Sequence, residues 1–86
     1  MTQQAWTVDR VAGILRALAE EDELPQHLLA GEITGTDTVE TLGLDSIGAV
    51  SLIDRLEGEA GVPLPDDFLD FKDSVADIVA RLTELG

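Results

Sequence analysis

Apolar residues recur at steps of three and four in three separate stretches of this chain, and no window sustains the every-second-residue alternation of a half-buried strand. A chain patterned this way folds from helices. In the first stretch Val8, Val11, Leu15 and Leu18, with Ile14 beside them, share one face and predict a helix over residues 7–19. The acidic run Glu20, Glu21, Asp22, Glu23 then opposes the negative end of the helix dipole, and Pro25 blocks further turns. The second stretch follows Gly43-Leu44, with Asp45 and Ser46 both suited to start a helix and Gly61 suited to end one. Ala49, Ile53, Leu56 and Ala60, with Val50 and Leu52 alongside, mark its buried face over residues 46–60. The third opens with Ser74 as cap and Asp77 three residues on, and its stripe is Val75, Ile78, Val79, Leu82 and Leu85.

Two connections remain. Pro65 is placed to begin a short helix through Phe71, with Phe68, Leu69 and Phe71 facing inward. Between the first two helices runs a loop of about 20 residues, long enough to need anchors, for which Leu28, Leu29, Ile33, Val39 and Leu42 are the candidates. The expected fold is all-α: a small antiparallel four-helix bundle, three helices long and one short, with a long loop between helices one and two.

A length of 86 residues suits one domain over residues 1–86, its core about 7–85. The absence of cysteine excludes disulfides, thiolate zinc sites and a cysteine nucleophile. Two Phe, one Trp and no Tyr leave little to wall an enzyme pocket. Eighteen acidic residues against five basic ones give a net charge of −13, which repels nucleic acid and anionic lipid and favours protein partners with basic patches. The amino-terminal residues lack the basic and apolar regions of a signal peptide, and no apolar run reaches membrane-spanning length. The expectation is a cytoplasmic monomer.

Few residues offer chemistry. The only histidine, His27, has no cysteine or second histidine with which to share a metal, and it reads as a loop residue. Asp66, Asp67, Asp70, Asp73 and Asp77 lie at helical spacing without the Asp-x-Asp-x-Asp-Gly pattern of a calcium loop, so they read as a solvated face. No nucleophile–base pair can be assembled; the expectation is no catalytic residue and no metal. Ser46 has two readings, a plain helix cap or a modified hydroxyl.

The run Leu42-Gly43-Leu44-Asp45-Ser46-Ile47-Gly48 resembles the phosphopantetheine attachment site of acyl carrier proteins, in which the serine follows Asp and precedes Leu, Ile or Met. The order of segments resembles that family as well, from residue 7 to residue 85, including Gly-Val-Pro-Leu-Pro after the second helix and Asp73-Ser74-Val75 before the last. The resemblance implies that a phosphopantetheinyl transferase moves 4′-phosphopantetheine from coenzyme A onto Ser46. The terminal thiol would then hold an acyl or aminoacyl group as a thioester. A helix start suits the phosphodiester, because its N–H groups and dipole attract an anion. Asp45 would orient the site or contact the transferase, or act as a second cap.

The face expected to dock partners comprises Leu44, Ile47, Gly48, Ser51, Asp54 and Arg55, a mixture of apolar, acidic and basic groups rather than the acidic face of fatty-acid carriers. Asp-Ser-Ile-Gly is also similar to D-alanyl and other stand-alone aminoacyl carriers, which adenylate-forming ligases load. Gly48 and Gly58 each cost about 1 kcal/mol inside a helix, and close approach of a partner backbone would explain Gly48. The resemblance therefore implies a stand-alone acyl or aminoacyl carrier, a tether rather than an enzyme, in a type II natural-product or ligase-loaded pathway. Its partners would be a loading ligase or acyltransferase and downstream synthases or transferases. A housekeeping fatty-acid carrier and a non-carrier acidic interaction module are the alternatives. With −13 net charge, self-repulsion should limit stability, so raising salt from dilute buffer to about 0.15 M should raise the melting temperature; an unchanged value would exclude repulsion as the limit.

Overall fold

Residues 5–65 and 67–85 are described by a computed structural model. Three α-helices form: α1 (Val8–Glu20), α2 (Ser46–Ala60) and α3 (Val75–Leu85), with one short 3-10 turn at Gln26–Leu29. Among the described residues there is no strand, only an isolated antiparallel bridge between Thr38 and Ser74. Each helix starts on a side-chain cap to its third N–H: Thr7 Oγ1 accepts from Arg10, the Asp45 carboxylate from Gly48, and Ser74 Oγ from Asp77. The Asp77 carboxylate returns the bond to the Ser74 N–H at 3.0 Å, completing the capping box.

The end of α1 falls within a residue of the expected one. It closes before Pro25, with the Asp22 N–H on the Ala19 carbonyl (3.1 Å) and the Glu23 N–H on the Leu18 carbonyl (2.9 Å). This is a Schellman closure, and Asp22 takes the left-handed position at φ 64° that glycine usually fills. Its side chain accepts from Gln26 Nε2 at 2.9 Å, so a local bond helps hold a conformation that aspartate tolerates better than most residues.

The core is built on α1. Val11, Leu15 and Leu18 are fully buried together with Leu52 and Leu56 of α2 and Ile78 and Leu82 of α3. Packing is principally of α1 against the 3-10 turn, α2 and α3. Several expected core positions lie elsewhere. Leu29, Val50, Phe71 and Leu85 are exposed, while Leu24, Leu44 and Leu64 are buried. Leu29 and Leu28 share one 3-10 turn, and only Leu28 of the two is buried. Leu85 lies at the very end of α3, past the last core contact.

The short helix expected over 65–71 does not form among the described residues, and Asp66 lies outside them. The segment instead makes turns, the Phe68 N–H bonding the Pro65 carbonyl and the Asp73 N–H the Asp70 carbonyl. Its backbone is tied to the long loop: Glu40 N–H to Phe71 O, Val39 N–H to Asp73 O, Val75 N–H to Asp37 O and Ala76 N–H to Gly35 O, all between 2.8 and 3.0 Å. The last two satisfy N–H groups in the first turn of α3 that have no intrahelical partner. The loop is therefore part of the fold rather than a slack connection.

Hydrogen bonds from the Ser74 backbone and side chain lower the Asp77 carboxyl below its usual range. A depressed carboxyl stabilises above its unfolded value, and that contribution disappears as pH falls through the folded one. Replacing Ser74 by Ala should cost about 1 kcal/mol at neutral pH, roughly 4–8 °C in melting temperature for a domain of this size. Part of that difference, read by circular dichroism, should vanish below the carboxylate range.

Candidate functional site

The start of α2 is set by a tight turn. Thr38 and Thr41 bond reciprocally, the Thr38 N–H to Thr41 Oγ1 at 2.7 Å and the Thr41 N–H to Thr38 Oγ1 at 3.1 Å. The Leu42 N–H then bonds the Thr38 carbonyl and the Gly43 N–H the Glu40 carbonyl. Gly43 sits at φ 80°, where a side chain is strained, and an added Cβ would lie 3.0 Å from His27 Cε1. Its neighbours Leu42 and Leu44 are buried and anchor the turn on both sides. His27, itself exposed, packs beside this turn; among the described residues no three or more His, Cys, Asp or Glu side chains are grouped to hold a metal ion.

Asp45 is extended and its Oδ1 accepts the Gly48 N–H at 2.7 Å. Asp45 is therefore the cap of α2, and the reading of Ser46 as a plain cap does not hold. Ser46 is instead the first helical residue and is exposed. The arrangement presents a primary hydroxyl at the positive end of a helix dipole, a setting that accepts a phosphodiester.

The residues expected to dock partners separate into three groups. Ile47 is 76% exposed and Asp54 is exposed. Ser51 and Arg55 are half-buried, and Arg55 Nη2 donates to both carboxylate oxygens of Glu21 at 2.8 and 2.9 Å. That bond holds the Glu21 carboxyl below its usual range and raises the Arg55 guanidinium. Leu44 and Gly48 are buried, so the expectation that they belong to an exposed docking face is corrected. Leu44 points into the core because it follows the turn at Gly43. The reason for Gly48 is intramolecular: an added Cβ would lie 3.0 Å from Leu24 Cδ2 and 3.3 Å from Asp45 Oδ1.

Sequence reasoning missed three features. The Glu21–Arg55 pair spans 34 residues, beyond any local pattern. Val50, expected on the buried face, is 56% exposed, because apolar spacing alone does not reveal where a helix face ends. A cavity of about 210 Å³ lies beside Ser46, lined by Val39, Ala49, Val50, Ile53, Leu69 and Phe71. The acidic set is also more ordered than a solvated face: Asp73 Oδ2 accepts the Asp70 N–H and Asp70 Oδ1 the Lys72 N–H, both at 2.9 Å.

Glycine-to-alanine changes separate the two helical glycines. Around Gly58 nothing lies within 4 Å of an added Cβ, so Gly58→Ala should stabilise by up to about 1 kcal/mol. Gly48→Ala should destabilise, because buried Leu24 must move to admit the methyl. Denaturant titration of both variants checks the opposite signs.

A family model described as phosphopantetheine attachment site matches residues 9–82. No curated protein and no solved structure matches the chain.

Proposed function

Because the chain belongs to the phosphopantetheine attachment site family, we propose that Ser46 is the residue that carries the arm and that the cargo is an acyl or aminoacyl group. Carrier domains of this family hold covalent 4′-phosphopantetheine, are modified by a phosphopantetheinyl transferase, and tether substrates for synthase enzymes without being catalysts. When bound, the group supplies a terminal thiol for thioester chemistry. This chain's residues supply the anchor.

The observation that carries the reading is the division of duties at the α2 start. Asp45 caps the helix, so the exposed Ser46 hydroxyl is not needed for that bond. The residues fit a phosphodiester, with a hydroxyl at a helix start and helix N–H groups and dipole favouring the anion. Asp45 serves the site by fixing the first turn. Partner docking falls on Ile47, Ser51 and Asp54, with Val50 added. Arg55 flanks this face, its charge already engaged by Glu21.

An apolar centre at Ile47 and Val50 supports partners that dock by hydrophobic contact more than by charge, since central anchors dominate such interfaces. The pathway reading is accordingly a specialised one, of type II natural-product or ligase-loaded kind, in the cytoplasm. Among the described residues no helix is long and apolar enough to cross a membrane.

Incubation with coenzyme A and a broad-specificity phosphopantetheinyl transferase, followed by intact mass measurement, tests the assignment. The protein should gain one phosphopantetheine, and Ser46→Ala should gain none. Modification that persists in Ser46→Ala would place the arm elsewhere.

A further inference from the structure

Two glycines flank Ser46 where a side chain has no room, and the same stretch of chain presses on both. An added Cβ at Gly43 would lie 3.0 Å from His27 Cε1 and 3.9 Å from Pro25 Cγ, and one at Gly48 would lie 3.0 Å from Leu24 Cδ2. Residues 24–27 therefore seat the turn before Ser46 and the first turn of α2 after it. Leu24, 4% exposed, packs where the Gly48 N–H meets the Asp45 carboxylate at 2.7 Å.

This seat is fastened at both ends. On the side of α1, the Glu23 N–H bonds the Leu18 carbonyl at 2.9 Å, and Gln26 Nε2 donates to the Ala19 carbonyl and to Asp22 Oδ1. On the other side Leu28 is buried, and its N–H bonds the Pro25 carbonyl at 3.2 Å. Gln26 is exposed, so its amide fills no place in the core and serves these two bonds to the end of α1.

We propose, resting on the carrier reading of Ser46, that Leu24 and Gln26 are positioning residues for its modification. Leu24 acts through Gly48 on the first turn of α2, and Gln26 acts by holding the Leu24 segment to α1. In the transfer, Ser46 Oγ attacks the pantetheine-bearing phosphorus of coenzyme A. The new O–P bond forms as the bond to the leaving adenosine bisphosphate breaks, and the hydroxyl proton passes to a base on the transferase. Attacking and leaving oxygens must stand roughly in line, and a misplacement of about 1 Å can cost about 10²-fold in rate. Buried Leu24 offers the transferase no contact, so its effect runs through the placement of Ser46.

Two measurements test the proposal. In the unmodified protein, amide hydrogen exchange at Gly48 and Ala49, both held by Asp45, should quicken severalfold in Leu24→Ala and in Gln26→Glu, while Ile78 in α3 stays protected. Gln26→Glu keeps the side chain's shape but turns the donor into a carboxylate facing Asp22 and the Ala19 carbonyl. In steady-state transfer from coenzyme A by a broad-specificity phosphopantetheinyl transferase, Leu24→Ala should lower kcat about tenfold and change KM for the carrier less than about twofold. Leu24→Met, which conserves volume, should restore kcat, and Leu82→Val, which trims the core within α3, should leave it unchanged. Leu24→Val should recover part of the kcat lost in Gly48→Ala, because the shorter side chain admits the methyl; this pair serves if Leu24→Ala unfolds. Native kcat in Leu24→Ala and Gln26→Glu despite quickened exchange would overturn the positioning role, as would an equal loss in Leu82→Val or a change confined to KM. Unchanged exchange at Gly48 and Ala49 in both variants would overturn the seat itself. A native protein that gains no group at Ser46 would overturn the carrier reading and the positioning role together, and exchange would still decide whether residues 24–27 hold the start of α2.

Discussion

The apolar stripe of α1 is the surface on which the other elements depend. Val11, Leu15 and Leu18 receive the 3-10 turn, α2 and α3, so one helix organises the core. Each such side chain contributes about 1.5–3 kcal/mol when fully buried, and the stripe is the largest apolar surface α1 can offer. The cavity beside Ser46 borders α2, the long loop and the segment before α3, and no α1 residue lines it. A bundle organised on one helix leaves such a seam on the side away from it.

Charge works against this fold, and the arginines are spent in reducing that opposition. Arg10 reaches Glu59 of α2 and stacks over Trp6, Arg16 reaches the Gly31 carbonyl, Arg55 reaches Glu21, and Arg81 reaches Asp73. All four join separate parts of the chain. The partly exposed pairs Arg10–Glu59 and Arg55–Glu21 contribute little each, about 0–1 kcal/mol, and salt screens them as it screens the repulsion. Their placement matters more than their number, because each guanidinium ties two separate parts of the chain together.

Periodicity made the three helices legible, with ends within a residue or two, because amphipathic spacing and side-chain caps are local properties. The place of Ser46 at the start of α2 was legible for the same reason. What escaped was whatever required knowing a neighbour far along the chain. Nothing local says that Gly48 faces Leu24, that Arg55 meets Glu21, or that Phe71 stays outside while Phe68 goes in. The 65–71 segment carries a helix-like pattern, yet its backbone bonds go to the long loop and its own turns. Tertiary pairing overrode local preference there.

On the proposed reading of Ser46, the geometry at α2 lets a rigid anchor and a free substituent coexist. The turn through Gly43 is fixed by the Thr38–Thr41 pair and by the burial of Leu42 and Leu44, and the helix start is fixed by Asp45 on Gly48. Each constraint falls on a neighbour of Ser46. Leu24 packs tightly against Gly48, and so even the chain after α1 braces the site from beneath. Outside stand Ile47, Val50 and Asp54, which bear no such duties and are available to partners. A tethered group gains effective concentration at a docked partner only while its anchor holds position, and loses it if the linker cannot span the sites. Rigidity beneath Ser46 and freedom above it are thus two halves of one requirement.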